Sequence, residues 1–220
     1  MELFLDTGNV EAIKELNEIL NIDGVTTNPS ILAKTKEDPF KIINEIVKIL
    51  SPKQKLFVEV MASNHEDMVK EAEYINSLKE NCYAKIPVSI EGLKAIKICK
   101  QKGIKTLATA IFTSSQGYLA AKNGADYLAP YVNRMENYFD GIDETIKLQE
   151  AIWNNGFESR VVAASFKNVN QIKQLMIADI DAVTISDELC YKMIEHSGTD
   201  DAIMKFEEDW QKQYNRKTLK

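Results

Sequence analysis

Short apolar runs alternate with longer amphipathic stretches eight times along the chain, and this alternation restricts the fold more than any other feature. The runs lie at 3–6, 24–27, 56–60, 83–88, 106–111, 127–132, 160–165 and 182–186. Segments of that length, rich in Val, Ile, Phe and Tyr, predict strands buried on both faces. Between them, apolar residues recur at helical spacing, as in Ile43, Ile46, Val47 and Leu50, or Met68, Ala72 and Ile75. Ser63 or Asn64 ahead of His65, and Asn168 ahead of Val169, predict helix starts, while Gly103 and Gly124 predict helix ends. Eight strand–helix units with no linker rich in Pro, Gly or Ser predict an α/β fold, a single-domain (β/α)8 TIM barrel over residues 1–220. A doubly wound sheet is the alternative, but no Gly-rich phosphate loop follows an early strand. An additional C-terminal helix is expected at 199–215, with Ile203, Phe206, Trp210 and Tyr214 on one stripe. That helix either closes the domain's own core or docks on a neighbouring subunit.

Composition narrows the partners. The net charge is −6, which argues against nucleic acid or an anionic membrane surface as the main partner. No run approaches membrane-spanning length, and the N-terminus lacks a signal-peptide pattern. Cys82, Cys99 and Cys190 are odd in number and widely spaced, so they read as reduced packing thiols in a cytoplasmic protein. His65 and His196 lie far apart with no ligand pattern, so no metal site is expected. Arg134, Arg160 and Arg216 are the arginines among 27 basic residues, which makes an arginine inside a motif more informative than a lysine.

Chemistry in such a barrel sits at the C-terminal ends of the strands. Here those ends carry Asp6, Thr26 and Asn28, Glu59, Lys85, Thr109, Tyr131 followed by Arg134, Ser165 followed by Lys167, and Thr184 with Ser186. Lys85 is the most unusual of them, a lysine inside the apolar run Tyr-Ala-Lys-Ile-Pro-Val (83–88). A lysine at its ordinary pKa of about 10.4 holds roughly one amine in a few thousand neutral at pH 7. Burial lowers that pKa and favours the neutral, nucleophilic amine. The plainer reading is an edge-strand lysine whose head reaches water. Strand alternation places Tyr83, Lys85 and Pro87 on one face; if that face is the lumen, Asp6 and Glu59 share it. An amine, two carboxylates, hydroxyls and a cation together describe carbonyl chemistry through a Schiff base. A barrel isomerase or epimerase, with the carboxylates moving protons and Lys85 supplying charge, is the competing class.

Several motifs resemble the transaldolase family, in particular its small members akin to fructose-6-phosphate aldolase. They are Leu-Phe-Leu-Asp-Thr (3–7), Gly-Val-Thr-Thr-Asn-Pro-Ser (24–30), Ala-Lys-Ile-Pro-Val (84–88), Glu-Gly-Leu (91–93), Ala-Pro-Tyr-Val-Asn-Arg (129–134) and Ala-Ala-Ser-Phe-Lys (163–167). The resemblance spans essentially the whole chain. It implies that Lys85 forms the Schiff base and that Asp6 takes a substrate hydroxyl proton. It further implies that Glu59 and Thr109 hold a proton-shuttling water, and that Thr26 and Asn28 bind the three-carbon ketone unit. Arg134, Ser165 and Lys167 would grip the phosphate of a sugar-phosphate substrate. No metal or organic cofactor is implied, and the small members are typically homo-oligomers, decamers of two pentamers. Within the family, Tyr131, Leu107 and Ala129 resemble the aldolase branch, whereas Glu59 resembles the transaldolase branch. The expected activity is therefore reversible cleavage of fructose 6-phosphate to dihydroxyacetone and glyceraldehyde 3-phosphate. Transaldolase transfer of the dihydroxyacetone unit is the alternative.

Overall fold

A computed structural model describes residues 1–219. The strands are β1 Glu2–Asp6, β2 Gly24–Thr26, β3 Lys55–Glu59, β4 Cys82–Pro87, β5 Thr106–Ile111, β6 Tyr127–Pro130, β7 Arg160–Ala163 and β8 Ala182–Ile185. They pair in parallel in sequence order, and β8 returns to β1 to close the barrel. The helices are α1 Val10–Ile19, α2 Pro29–Lys34, α3 Pro39–Ile49, α4 His65–Ser77, α5 Ile90–Lys102 and α6 Ser114–Lys122. They continue with α7 Val132–Met135, α8 Gly141–Asn154, α9 Val169–Ile177, α10 Asp187–Ile194 and α11 Ser197–Tyr214. Closure rules out the doubly wound sheet, whose open edges are absent here. Among the described residues, no helix is long and apolar enough to cross a membrane.

Local chemistry explains the boundaries. Asn9, Asn28, Asn64 and Asn168 each cap a helix by accepting a hydrogen bond from the third backbone N–H downstream. Pro29 and Pro39 begin α2 and α3 at positions where a missing N–H costs nothing. Gly103 ends α5 in the left-handed conformation, φ 71°. Strands β6 to β8 stop one or two residues before the apolar runs do. Tyr131 already caps α7, and Ser165 adopts φ 61°, outside the extended region of a regular strand.

Two apolar layers hold the barrel. The larger, between strands and helices, contains Leu5, Ile13, Ile46, Leu56, Ile86, Ile96 and Leu128, all shielded from solvent. The smaller fills the lower lumen with Phe4, Phe57, Tyr83 and Tyr127. Phe57 is its hub, with ring centroids 5.1 Å from Phe4, 5.0 Å from Tyr83 and 5.3 Å from Tyr127. Burying each such ring is worth about 1.5–3 kcal/mol. Beneath them Glu2 accepts from the Tyr127 hydroxyl at 3.0 Å and pairs with Arg160 at 2.7 Å and with Lys55. A carboxylate with three partners offsets its own desolvation, so this end is closed and stable. The open end of the lumen is the top, where strand alternation delivers the polar residues.

Candidate active site

Alternation along β4 turns Lys85 into the lumen one layer above Tyr83, and the residue is 5% exposed. Its Nζ donates to the Thr27 carbonyl at 2.9 Å. Thr27 is itself fixed, because its hydroxyl donates to the Phe57 carbonyl at 3.1 Å. Register places Glu59 of β3 directly beside Lys85. Glu59 Oε2 lies 3.8 Å from Lys85 Nζ, an ion-pair distance, and has no hydrogen-bond partner among the described residues.

A cavity of about 190 Å³ opens over the lysine. Of the residues given catalytic or substrate-binding roles from sequence, it is lined by Asp6, Thr26, Asn28, Lys85, Tyr131, Arg134 and Ser165. Glu59 reaches this group through Lys85, and Thr109 through Tyr131, whose hydroxyl lies 3.0 Å from Thr109 Oγ1. Asn28 spends its side-chain oxygen on capping α2, accepting from Ile31 N at 2.9 Å, so its amide NH₂ remains for a ligand oxygen. Arg134 lies over the Tyr131 ring, with Cζ 4.6 Å from the centroid, which holds the guanidinium at the rim.

Two of the site's supports are backbone conformations that L-residues avoid. Ser165 has φ 61°, and Ala110 has φ 56° inside β5, where the register with β6 shifts. The bulge at Ala110 follows immediately on Thr109, and the turn at Ser165 redirects the chain over the cavity. Strain at such positions concentrates where geometry is functional.

Lys167 does not line the cavity. It is exposed on the segment after β7, and its backbone N–H donates to Gln171 Oε1 at 2.8 Å. Lys34, in the last turn of α2, lines the cavity instead, together with Ser30. Nothing in the periodicity near 34 distinguishes that lysine; the short α2, started by Asn28 and Pro29, brings it to the rim. Thr184 of β8 also lines the cavity.

Electrostatics suit proton transfer. Burial pushes the Asp6 carboxyl above its ordinary range, opposed by Lys85, by the Thr26 hydrogen bond and by Arg134. Glu59 is also raised, mainly by burial and further by Asp6, against Lys85 and Arg134. Both carboxyls are therefore moved toward the pH at which a proton is readily gained and lost.

Two other features adjoin this centre, the first of them sharing Asn28 and Glu59 with it. A larger groove of about 500 Å³, bordered by Leu32, Phe40, Met61 and Tyr74, is mainly apolar and has no Lys or Arg on its walls. His65, Glu66 and Glu91 approach closely enough to hold a cation, a grouping unseen in the sequence because Glu91 belongs to the next helix. These groups already satisfy one another: His65 Nδ1 lies 2.5 Å from Glu91 Oε2, and hydrogen bonds from Lys94 and His65 pull the Glu91 carboxyl down to about 2.

The chain as a whole, residues 3–218, matches the family model described as transaldolase/fructose-6-phosphate aldolase.

Proposed function

The chain belongs to the transaldolase/fructose-6-phosphate aldolase family, and together with the cavity's geometry this leads us to propose a Schiff-base-forming class I aldolase acting on a sugar phosphate. The specific reaction is reversible cleavage of fructose 6-phosphate to dihydroxyacetone and glyceraldehyde 3-phosphate. One observation carries the reading: a buried lysine amine, aimed by the Thr27 carbonyl, shares its cavity with Asp6 and lies 3.8 Å from Glu59. The Lys85 amine attacks the ketose C2 carbonyl, and loss of water gives an iminium. Asp6 takes the proton of the C4 hydroxyl as the C3–C4 bond breaks, and that electron pair moves into the iminium to form an enamine. The aldehyde leaves with its phosphate held by Arg134, Ser165 and Lys34, all of which line the cavity. Glu59, Thr109 and Tyr131 handle the water and protons that convert the enamine back to ketone and free amine. This reading needs no metal or cofactor. The buried, unpaired thiols of Cys82, Cys99 and Cys190 suit a reducing cytoplasm.

Transaldolase activity is the second reading, and Glu59 favours it: the enamine then meets an acceptor aldose instead of water. The Tyr131 hydroxyl, 3.0 Å from Thr109 Oγ1, is the group that favours release. Tyr131→Phe is expected to raise transfer to erythrose 4-phosphate relative to release of dihydroxyacetone. Assaying both activities on the purified protein and the variant tests this, and an unchanged ratio would remove the tyrosine from the choice.

A further inference from the structure

Asp6 is oriented by a chain of hydroxyls that begins on the far side of the barrel seam. Thr26 Oγ1 donates to Asp6 Oδ1 at 2.6 Å. The same Thr26 oxygen lies 2.6 Å from Thr184 Oγ1. Thr26 is 0% and Thr184 4% exposed, so both hydroxyls are largely withdrawn from bulk solvent. Asp6 and Thr26 are register partners on β1 and β2, while Thr184 enters from β8. A threonine hydroxyl has one proton. An ionised Asp6 only accepts, so the Thr26 proton is committed to it. Thr26 then has nothing to give Thr184, and Thr184 must be the donor to Thr26.

We propose that Thr184 is a positioning residue, donating to Thr26 so that Thr26 donates to Asp6 and holds the carboxylate, as a base, toward the cavity above Lys85. The proposal rests on the reading of Asp6 as the base in carbon–carbon cleavage. Hydrogen bonds in series strengthen one another in a dry site, so Thr184 favours the ionised carboxylate without touching it. When Asp6 gains the substrate proton, the direction of donation is free to reverse. The chain therefore supports the base and releases its product form. The charged groups that also face Asp6 are Lys85 from β4, Arg134 from α7 and Glu59 from β3, and none of them is changed by substitution at 184.

The test compares Thr184→Val, which keeps the shape and removes the donor, with Thr184→Ser, which keeps the donor. Cleavage is followed as a function of pH, and borohydride trapping of dihydroxyacetone is measured on the same proteins. Thr184→Val is expected to lose about tenfold in kcat, with KM within about twofold, as for one lost hydrogen bond. The acid limb of its kcat profile should move to higher pH, trapping should persist, and Ser should restore the wild-type profile. If Val proves insoluble, Thr184→Cys, a weak donor of similar size, carries the same expectation. An unmoved acid limb, a raised KM in place of a lowered kcat, or failure of Ser to rescue would each overturn the role of Thr184. Failure of the wild type to trap dihydroxyacetone would instead overturn the aldolase reading itself.

Discussion

Lys85 and Arg134 both act on Asp6, yet burial outweighs them and holds its carboxyl above the ordinary value of 3.8. A carboxyl raised in this way binds its proton more tightly in the folded chain than in the unfolded one. As pH rises from 3.8 through the raised value, the unfolded chain gives up its proton first, and stability falls. At pH 7 an ionised Asp6 is therefore a stability cost kept for chemistry. Asp6→Asn removes the titration and keeps the size. Its melting temperature should exceed that of the wild type at pH 7, and the gap should close toward pH 4, while cleavage is lost. About 2–4 °C corresponds to 1 kcal/mol in a chain of this size. Equal melting temperatures at both pH values would mean that Lys85 and Arg134 balance the burial.

Lys85 depends on how the end of β4 meets α5. Ser89 caps α5 by accepting from Gly92 N at 3.0 Å, and a Cβ at Gly92 would lie 1.8 Å from the Pro87 carbonyl oxygen. Only glycine lets the first turn of α5 sit against the strand that carries the lysine. Gly103 differs: its φ is 71° and open space surrounds it, so a side chain there meets only left-handed strain. Gly103→Ala should cost about 1 kcal/mol and Gly92→Ala more than about 3 kcal/mol, read from urea midpoints. Similar shifts would show that the β4–α5 junction relaxes easily. Such junctions also mark where sequence reading succeeds and fails. Eight strands, the caps Asn64 and Asn168 and the ends Gly103 and Gly124 were legible, because period and capping chemistry are local. Alternation grouped Lys85 with Tyr83 and Pro87 on one face, and it is the closed barrel that turns that face inward, toward Asp6. The left-handed Ser165 and Ala110 were not legible, since both residues ordinarily suit other backbone. Nor was the Thr27 carbonyl that aims Lys85, because side-chain patterns do not show backbone acceptors. Lys34 and Lys167 are the same residue type in irregular surroundings, and only the path of α2 brings the former to the cavity.

At the scale of the whole molecule the barrel is asymmetric. Its lower end is sealed by aromatic rings and by Glu2 with its partners, and its upper end is open and polar. Stability and chemistry thus occupy different layers. The C-terminal helix α11 stands apart from both, for none of its residues is buried. It does not close the core, so of the two roles expected from its stripe, contact with a second copy is the one we propose. Ile203 is 50%, Phe206 70% and Tyr214 56% exposed, an apolar face that association would cover. Phe206→Asp should lower the mass measured by light scattering while leaving the melting of the monomer fold intact. An unchanged mass would place the interface elsewhere. The central claim, however, concerns one amine. The wild-type protein incubated with dihydroxyacetone or fructose 6-phosphate and reduced with borohydride should gain a single three-carbon adduct, mapped by mass spectrometry to Lys85 and absent in Lys85→Met. A wild type that gains no adduct, or a Lys85→Met variant that still gains one, would contradict the account.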